Sequence, residues 1–207
     1  MLDTPLRTVL ERPFDTAARV LDRSWITPDR LTVAGLIVGL GAATAAGLAW
    51  WWLAVALWLA SRVADGLDGP LARRRVRLGT AQPGSAGGFL DIMADFTVYG
   101  AFVLGVGIGV DGPMLPFAAV LLAYYLNGAA FLAFSSIAER TGHQLDDGRS
   151  LSFLGGLAEG TETIVVHTLW ALFPAAAPVI AWVWAVVVGV SAGQRIVTGY
   201  RTLRRPA

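Results

Sequence analysis

Uncharged residues run without a break from Leu31 to Ser61, 31 positions in all. Further apolar stretches follow at 96–110, 113–138 and 176–194, and at 151–173, where only Glu159 and Glu162 interrupt. As one straight helix the first run would be about 46 Å long, against about 30 Å of bilayer hydrocarbon. The pattern therefore predicts a tight turn near Gly47–Trp50 and two spans, about Leu31–Gly47 and Trp50–Arg73. Trp50, Trp51 and Trp52 form an aromatic belt at that turn. Four more spans are expected at about Gly87–Gly109, Pro113–Ala138, Leu151–Phe173 and Ala176–Val197, the last two separated by the breakers Pro174 and Pro178. The fold class is an all-α, polytopic membrane protein with six transmembrane helices.

Residues 1–30 read differently. They mix five arginines with acids, and the run Phe14–Arg23 alternates apolar and charged positions as a short interfacial helix would. The expected organisation is an N-terminal cytoplasmic or interfacial segment, 1–30, followed by a six-helix transmembrane domain, 31–207. A mean hydropathy of +0.59 agrees with a bilayer as the chain's surroundings. There is no cysteine, which removes disulfides, thiolate ligands and cysteine nucleophiles. A net charge of +1 gives no reason to expect nucleic acid as a partner.

The placement of charge says more than its sum. All 16 basic residues are arginines. Arg73, Arg74, Arg75, Arg77, Arg140, Arg149, Arg201, Arg204 and Arg205 fall beside the connections after spans two and four or at the C-terminus, and the opposite connections carry none. By the positive-inside rule that side is cytoplasmic, with both termini on it and the chain in the cell membrane.

Four aspartates stand within this apolar sequence. Asp65 and Asp68 are spaced i,i+3, Asp91 and Asp95 i,i+4, so each pair shares a helix face. An acid at the bilayer centre costs roughly 2.5–3.5 kcal/mol on insertion scales, and its presence is a functional signal. Spans two and three are natural antiparallel neighbours, which lets the two pairs face each other. Carboxylates so close repel, and a divalent cation, or two, relieves that. An oxygen-only donor set favours Mg²⁺ or Mn²⁺. The plainer alternative is ion pairing with Arg62, Arg73 or Arg74. A transporter using carboxylates for proton or cation coupling is a rival from another class; the clustering of the acids towards one membrane face, with no visible inverted repeat, speaks against it.

At these positions the chain resembles the CDP-alcohol phosphatidyltransferase family, whose signature reads DxxDGxxAR and then GxxxDxxxD. Asp65, Asp68, Gly69, Ala72, Arg73, Gly87, Asp91 and Asp95 fill every named position. The six-span layout and the segment Thr27–Thr32 agree with it. The stretch Arg74–Ala86 is 13 residues, longer than the family's usual spacing, and Thr80 and Ser85 are both candidates for the spacer hydroxyl that, by the resemblance, contacts the nucleotide. The resemblance implies metal-dependent transfer of a substituted phosphate from a CDP-linked lipid donor, commonly CDP-diacylglycerol, to an alcohol acceptor, with CMP leaving. It implies Asp65, Asp68, Asp91 and Asp95 as ligands of two Mg²⁺ or Mn²⁺ ions, with Asp95 also the general base. It implies Pro28, Asp29, Arg30, Leu31, Gly69, Ala72, Arg73 and Gly87 as donor contacts, and it allows a homodimer.

The acceptor is less legible. Glu159 and Glu162, with Arg149 and Arg195, are the candidate contacts: the glutamates suit an amine-bearing alcohol, the arginines an anionic one. Gly66 and Pro70 read as kink elements, and neither His143 nor His167 has ligand spacing.

Overall fold

The computed structural model describes residues 13–82, 84–142 and 158–204. Among these, every regular element is helical. Residues 13–21 form α1. The long helices are α2 (Pro28–Gly47), α3 (Trp51–Arg77), α4 (Ser85–Gly109), α5 (Leu115–Thr141) and α7 (Ala177–Leu203), with the shorter α6 (Gly160–Leu172) joined to α7 through the 3₁₀ turn Pro174–Ala176.

Among the described residues, four helices are long and apolar enough to cross a membrane: α2, α4, α5 and the segment Pro174–Leu203 that contains α7. Their outer faces agree. Ile37, Ile108, Leu122 and Val183, one on each, are 61–68% exposed, the inverse of a soluble bundle. The other two expected spans are weaker on those criteria for separate reasons. α3 is 27 residues long but carries Arg62, Asp65, Asp68 and a run of arginines. α6 has 13 residues, and most of the expected start of span five lies outside the described residues.

The turn expected near Gly47–Trp50 is present. α2 ends at Gly47, Ala49 takes a left-handed φ of 56°, and Trp50 N–H donates to Ala45 O at 2.8 Å. Trp50 and Trp52 point outward from it. Several boundaries differ from the expected ones; α7, for instance, runs on to Leu203. α2 starts at Pro28, because Thr27 accepts from Arg30 N–H at 3.2 Å as its N-cap and proline suits the first turn. α3 runs on through Pro70 to Arg77, and α4 begins at Ser85. Nearly half of the long stretch 74–86 is therefore helix, and Leu78–Gly84 connects the two.

Helix packing depends on small residues. The buried face of α2 is Thr32, Gly35, Gly39, Ala42, Ala43, Ala45 and Ala46. A Cβ at Gly105 or Gly109 of α4 would overlap the carbonyl oxygens of Ala43 and Ala46, so the α2 and α4 backbones touch directly. α5 packs on α7, and α6 bridges this pair to α3. Where they meet, the fully buried His167 lies among Trp58, Phe102 and Trp170, with Tyr124 Oη 2.9 Å from its Nε2. His167 is thus a packed core residue.

The N-terminal segment folds back onto α3. Phe14 lies where a side chain at Gly66 would be, so that glycine admits α1. Asp22 accepts from Arg75 Nε and Arg74 Nε, each at 3.1 Å. These two guanidinium groups, Arg75 foremost, hold the Asp22 carboxyl below the usual carboxylate range. Arg75 also donates to the carbonyls of Arg23 and Ile26.

Because the α2–α4 contact is backbone on backbone, Gly105→Ala is expected to destabilise the bundle by about 1–3 kcal/mol. Gly105→Leu should lower it further. Thermal unfolding of the purified protein in detergent measures both; an unchanged Tm would contradict the close approach.

Candidate active site

The second half of α3 and the first turns of α4 carry the chemistry, because a short connection holds these antiparallel helices side by side. Asp65 and Asp68 from α3 and Asp91 from α4 each turn a carboxylate oxygen to within 4.8 Å of the others. Asp68 is buried and is fixed by α2: Thr32 Oγ1 donates to its Oδ2 at 2.5 Å. Asp95, one turn further along α4, is ion-paired, with Oδ1 2.5 Å from Arg62 Nη1. The same nitrogen is 3.7 Å from Asp65 Oδ2.

Beside the three carboxylates opens a cavity of about 800 Å³. Pro28, Asp29, Gly69, Ala72, Arg73, Gly87, Asp68 and Asp91 line it, all of them site residues expected from the sequence. Gly69 leaves room for Arg73, whose Nη1 would be 3.1 Å from a Cβ there. The N-terminal turn of α4, through Ala86, Gly87 and Gly88, faces the same space and presents the amides that a helix start leaves unpaired. One side of the cavity is thus acidic, the other cationic.

Two expected donor contacts do not reach it. Arg30 Nη1 donates to Trp25 O at 2.5 Å, and neither Arg30 nor Leu31 is in the lining. Arg30 faces the chain that precedes α2. Of the two spacer hydroxyls, Thr80 lines the cavity, donating to Arg75 O at 3.2 Å, whereas Ser85 does not line it. Glu159 is the N-cap residue of α6, Glu162 stands in its first turn, and Arg195 is buried on α7 with its guanidinium 5.8 Å from the Phe131 ring. Arg149 and His143 lie outside the described residues.

Sequence reasoning missed Thr32, Arg75 and Arg77 as cavity residues. Two of them carried a signal. Thr32 is one turn beyond Pro28, and Arg77 one turn beyond Arg73, so each shares a face with a residue already singled out.

The sequence profile of the CDP-alcohol phosphatidyltransferase family matches residues 25–191. The chain belongs to the CDP-alcohol phosphatidyltransferase family. It is 37% identical to the inner membrane protein YnjF of Escherichia coli (strain K12) across 99% of this chain and 98% of that protein. Solved structures share the fold. The phosphatidylinositol phosphate synthase PgsA1 of Mycobacterium tuberculosis with CDP-DAG bound matches with TM-score 0.72 at 21% identity, covering 95% of this chain and 99% of that one. The same synthase in complex with manganese and citrate matches with TM-score 0.73 at 22% identity, covering 94% and 93%.

Membership makes the chain a multi-pass membrane enzyme of the phosphatidyltransferase type, catalysing CDP-alcohol phosphotransfer in phospholipid synthesis, and sets the transporter reading aside. The donor set fits the metal such an enzyme uses. Three carboxylates converge without a thiolate, and the one described histidine is sequestered in the core, so Mg²⁺ or Mn²⁺ is the matching ion.

Asp68→Asn and Asp91→Asn each remove one ligand charge and change almost no volume. Both variants should fold and enter the membrane normally yet lose Mn²⁺ binding, read by electron paramagnetic resonance titration, together with turnover. Retained Mn²⁺ affinity in either would refute its assignment as a ligand.

Proposed function

We propose that the enzyme transfers the phosphatidyl group of CDP-diacylglycerol to the hydroxyl of an alcohol and releases CMP. The observation that carries this reading is the convergence of Asp65, Asp68 and Asp91 at the edge of a cavity whose other wall holds Arg73, Arg75 and Arg77. A diphosphate needs both: oxygen ligands for a cation that neutralises it, and guanidinium forks for its remaining oxygens. The CDP-DAG and manganese bound by PgsA1 structures support the same assignment.

Asp65, Asp68 and Asp91, with Asp95, would hold the ion, or the pair of ions. Bound there, Mg²⁺ or Mn²⁺ supplies charge stabilisation for the diphosphate and the departing phosphate. Arg73 grips donor phosphate, and the α4 N-terminus faces the same group. Asp95 takes the proton of the acceptor hydroxyl. The new bond joins the acceptor oxygen to the phosphatidyl phosphorus, the bond from that phosphorus to CMP breaks, and the proton stays on Asp95.

In the membrane, α3 and α6 complete six spans, with the arginine-rich ends and both termini cytoplasmic and α1 at the interface. Charged residues on α3 are tolerable there because they face the bundle or the cavity instead of lipid. Glu159, Glu162 and Arg195, with Arg149, are the acceptor-side groups.

Purified protein given CDP-diacylglycerol and Mn²⁺ should release CMP only with the right alcohol. The panel should contain serine, glycerol 3-phosphate, inositol, inositol phosphate and choline. CDP with Mg²⁺ should raise the Tm, and Arg73→Ala should weaken that rise; equal stabilisation by UMP and CMP would contradict a cytidine site. If the glutamates hold an amine, Glu162→Gln raises the acceptor KM far more than the donor KM. An unchanged acceptor KM there, with a large rise in Arg195→Ala, identifies an anionic alcohol instead.

A further inference from the structure

The cationic wall of the cavity includes one arginine that the chain holds in place from outside the signature. Arg75 lines the cavity, and its guanidinium is bound by the turn that follows α1. Its Nε donates to Asp22 Oδ1 at 3.1 Å, and its Nη2 donates to Arg23 O at 2.8 Å and to Ile26 O at 2.7 Å. That turn is closed by its own backbone, since Ile26 N–H donates to Arg23 O at 3.0 Å. The second oxygen of Asp22 accepts from Arg74 Nε, also at 3.1 Å, and Arg74 does not line the cavity. The start of α1 is fixed as well: Phe14 lies over Gly66, and Asp15 is 3.8 Å from Arg77. Three acceptors thus occupy Nε and Nη2 of Arg75, and among the described residues none meets its Nη1. An arginine free to swing loses that freedom when it grips a phosphate, whereas one already clamped loses little.

We propose that Asp22 is a positioning residue for donor binding, clamping Arg75 so that the free side of its guanidinium is kept for the diphosphate. The inference rests on the reading of this cavity as the donor site. Asp22 also separates two neighbouring cations, Arg74 and Arg75, whose repulsion would otherwise drive Arg75 off its course. A purely electrostatic role would have the opposite sign. Asp22 is an anion beside a wall that binds an anion, so repulsion alone would make its removal tighten the donor. The clamp predicts that removing this negative charge weakens the binding of a negatively charged ligand.

The test uses the whole chain in detergent, with CDP titrated calorimetrically in the presence of Mg²⁺ and Mn²⁺ binding read separately by electron paramagnetic resonance. Asp22→Asn should weaken CDP on the order of tenfold and leave Mn²⁺ affinity unchanged. Arg75→Gln should weaken CDP at least as much. Adding Asp22→Asn to Arg75→Gln should then cost nothing further, since the clamp has nothing left to hold. Unchanged or tighter CDP binding in Asp22→Asn overturns the proposal. So do additive losses in the double variant, and so does a parallel loss of Mn²⁺, which would mark general damage to the site. Arg75→Gln that binds CDP like the wild type also overturns it, and this arm decides the matter even where Asp22→Asn fails to fold. A wild-type protein that does not bind CDP brings down the donor reading, and this inference with it. CDP affinity lost in Arg73→Ala but kept in Asp22→Asn removes this inference alone.

Discussion

Charge carried into an apolar helix bundle must be compensated on the spot, since neither lipid nor a dry core can solvate it. On α3 that constraint falls on Arg62, Asp65 and Asp68 within two turns. Compensation comes from neighbouring helices, Asp95 of α4 for Arg62 and Thr32 of α2 for Asp68, while the converging Asp65, Asp68 and Asp91 could be neutralised by a divalent cation. The chemistry and the fold are therefore not separate designs. The carboxylates that would be a liability to the bundle are tolerated where an ion can neutralise them, and their mutual repulsion is what makes that ion welcome.

Close backbone approach is the second condition. Thr32 reaches Asp68, and Gly35 O reaches Ser61, because α2 presents glycine and alanine to its neighbours along its length. Lipid provides no hydrophobic drive for helices to associate, so contact area and short interhelical hydrogen bonds must supply it. The same small-residue face that lets α4 lie against Ala43 and Ala46 at one end sets the register of Thr32 and Asp68 at the other. A larger residue in the middle of α2 would thus act on the site through helix spacing.

Much of this was legible in the sequence, for physical reasons. Period and length located the helices, the polar interruption marked α3 and the start of α4, and carboxylate spacing gave the shared faces. Partner choice was not legible. Arg62 appeared in the sequence as one of several cations able to pair with the aspartates, and only the rings of Trp58 and Tyr99 and the hydroxyl of Ser61 decide which carboxylates it takes. Arg30 and Leu31 lie outside the cavity lining for a related reason. A motif names consecutive residues, but a helix turns each by 100°, so Pro28, Asp29 and Thr32 can face a cavity that Arg30 and Leu31 turn away from. Helix ends were the least legible, because nothing in Arg74–Arg77 says by itself whether three arginines and a valine continue a helix or leave it.

The arginine run at the end of α3 shows how one such continuation divides labour. Had the helix stopped at Arg73, the following arginines would be loop cations of no fixed direction. Continued to Arg77, it sends Arg73 and Arg77 down one face to the cavity, while Arg74 and Arg75 meet Asp22. Arg75 does both, since it lines the cavity while holding the carbonyls of Arg23 and Ile26. The N-terminal segment is thereby tied to the wall of the site through the same side chain that would meet a donor phosphate. Phe14 against Gly66 anchors the other end of α1 directly beside Asp65. A side chain at position 66 would displace α1 and, through Asp22, release Arg75, so this glycine acts on the cavity from the opposite side of the helix.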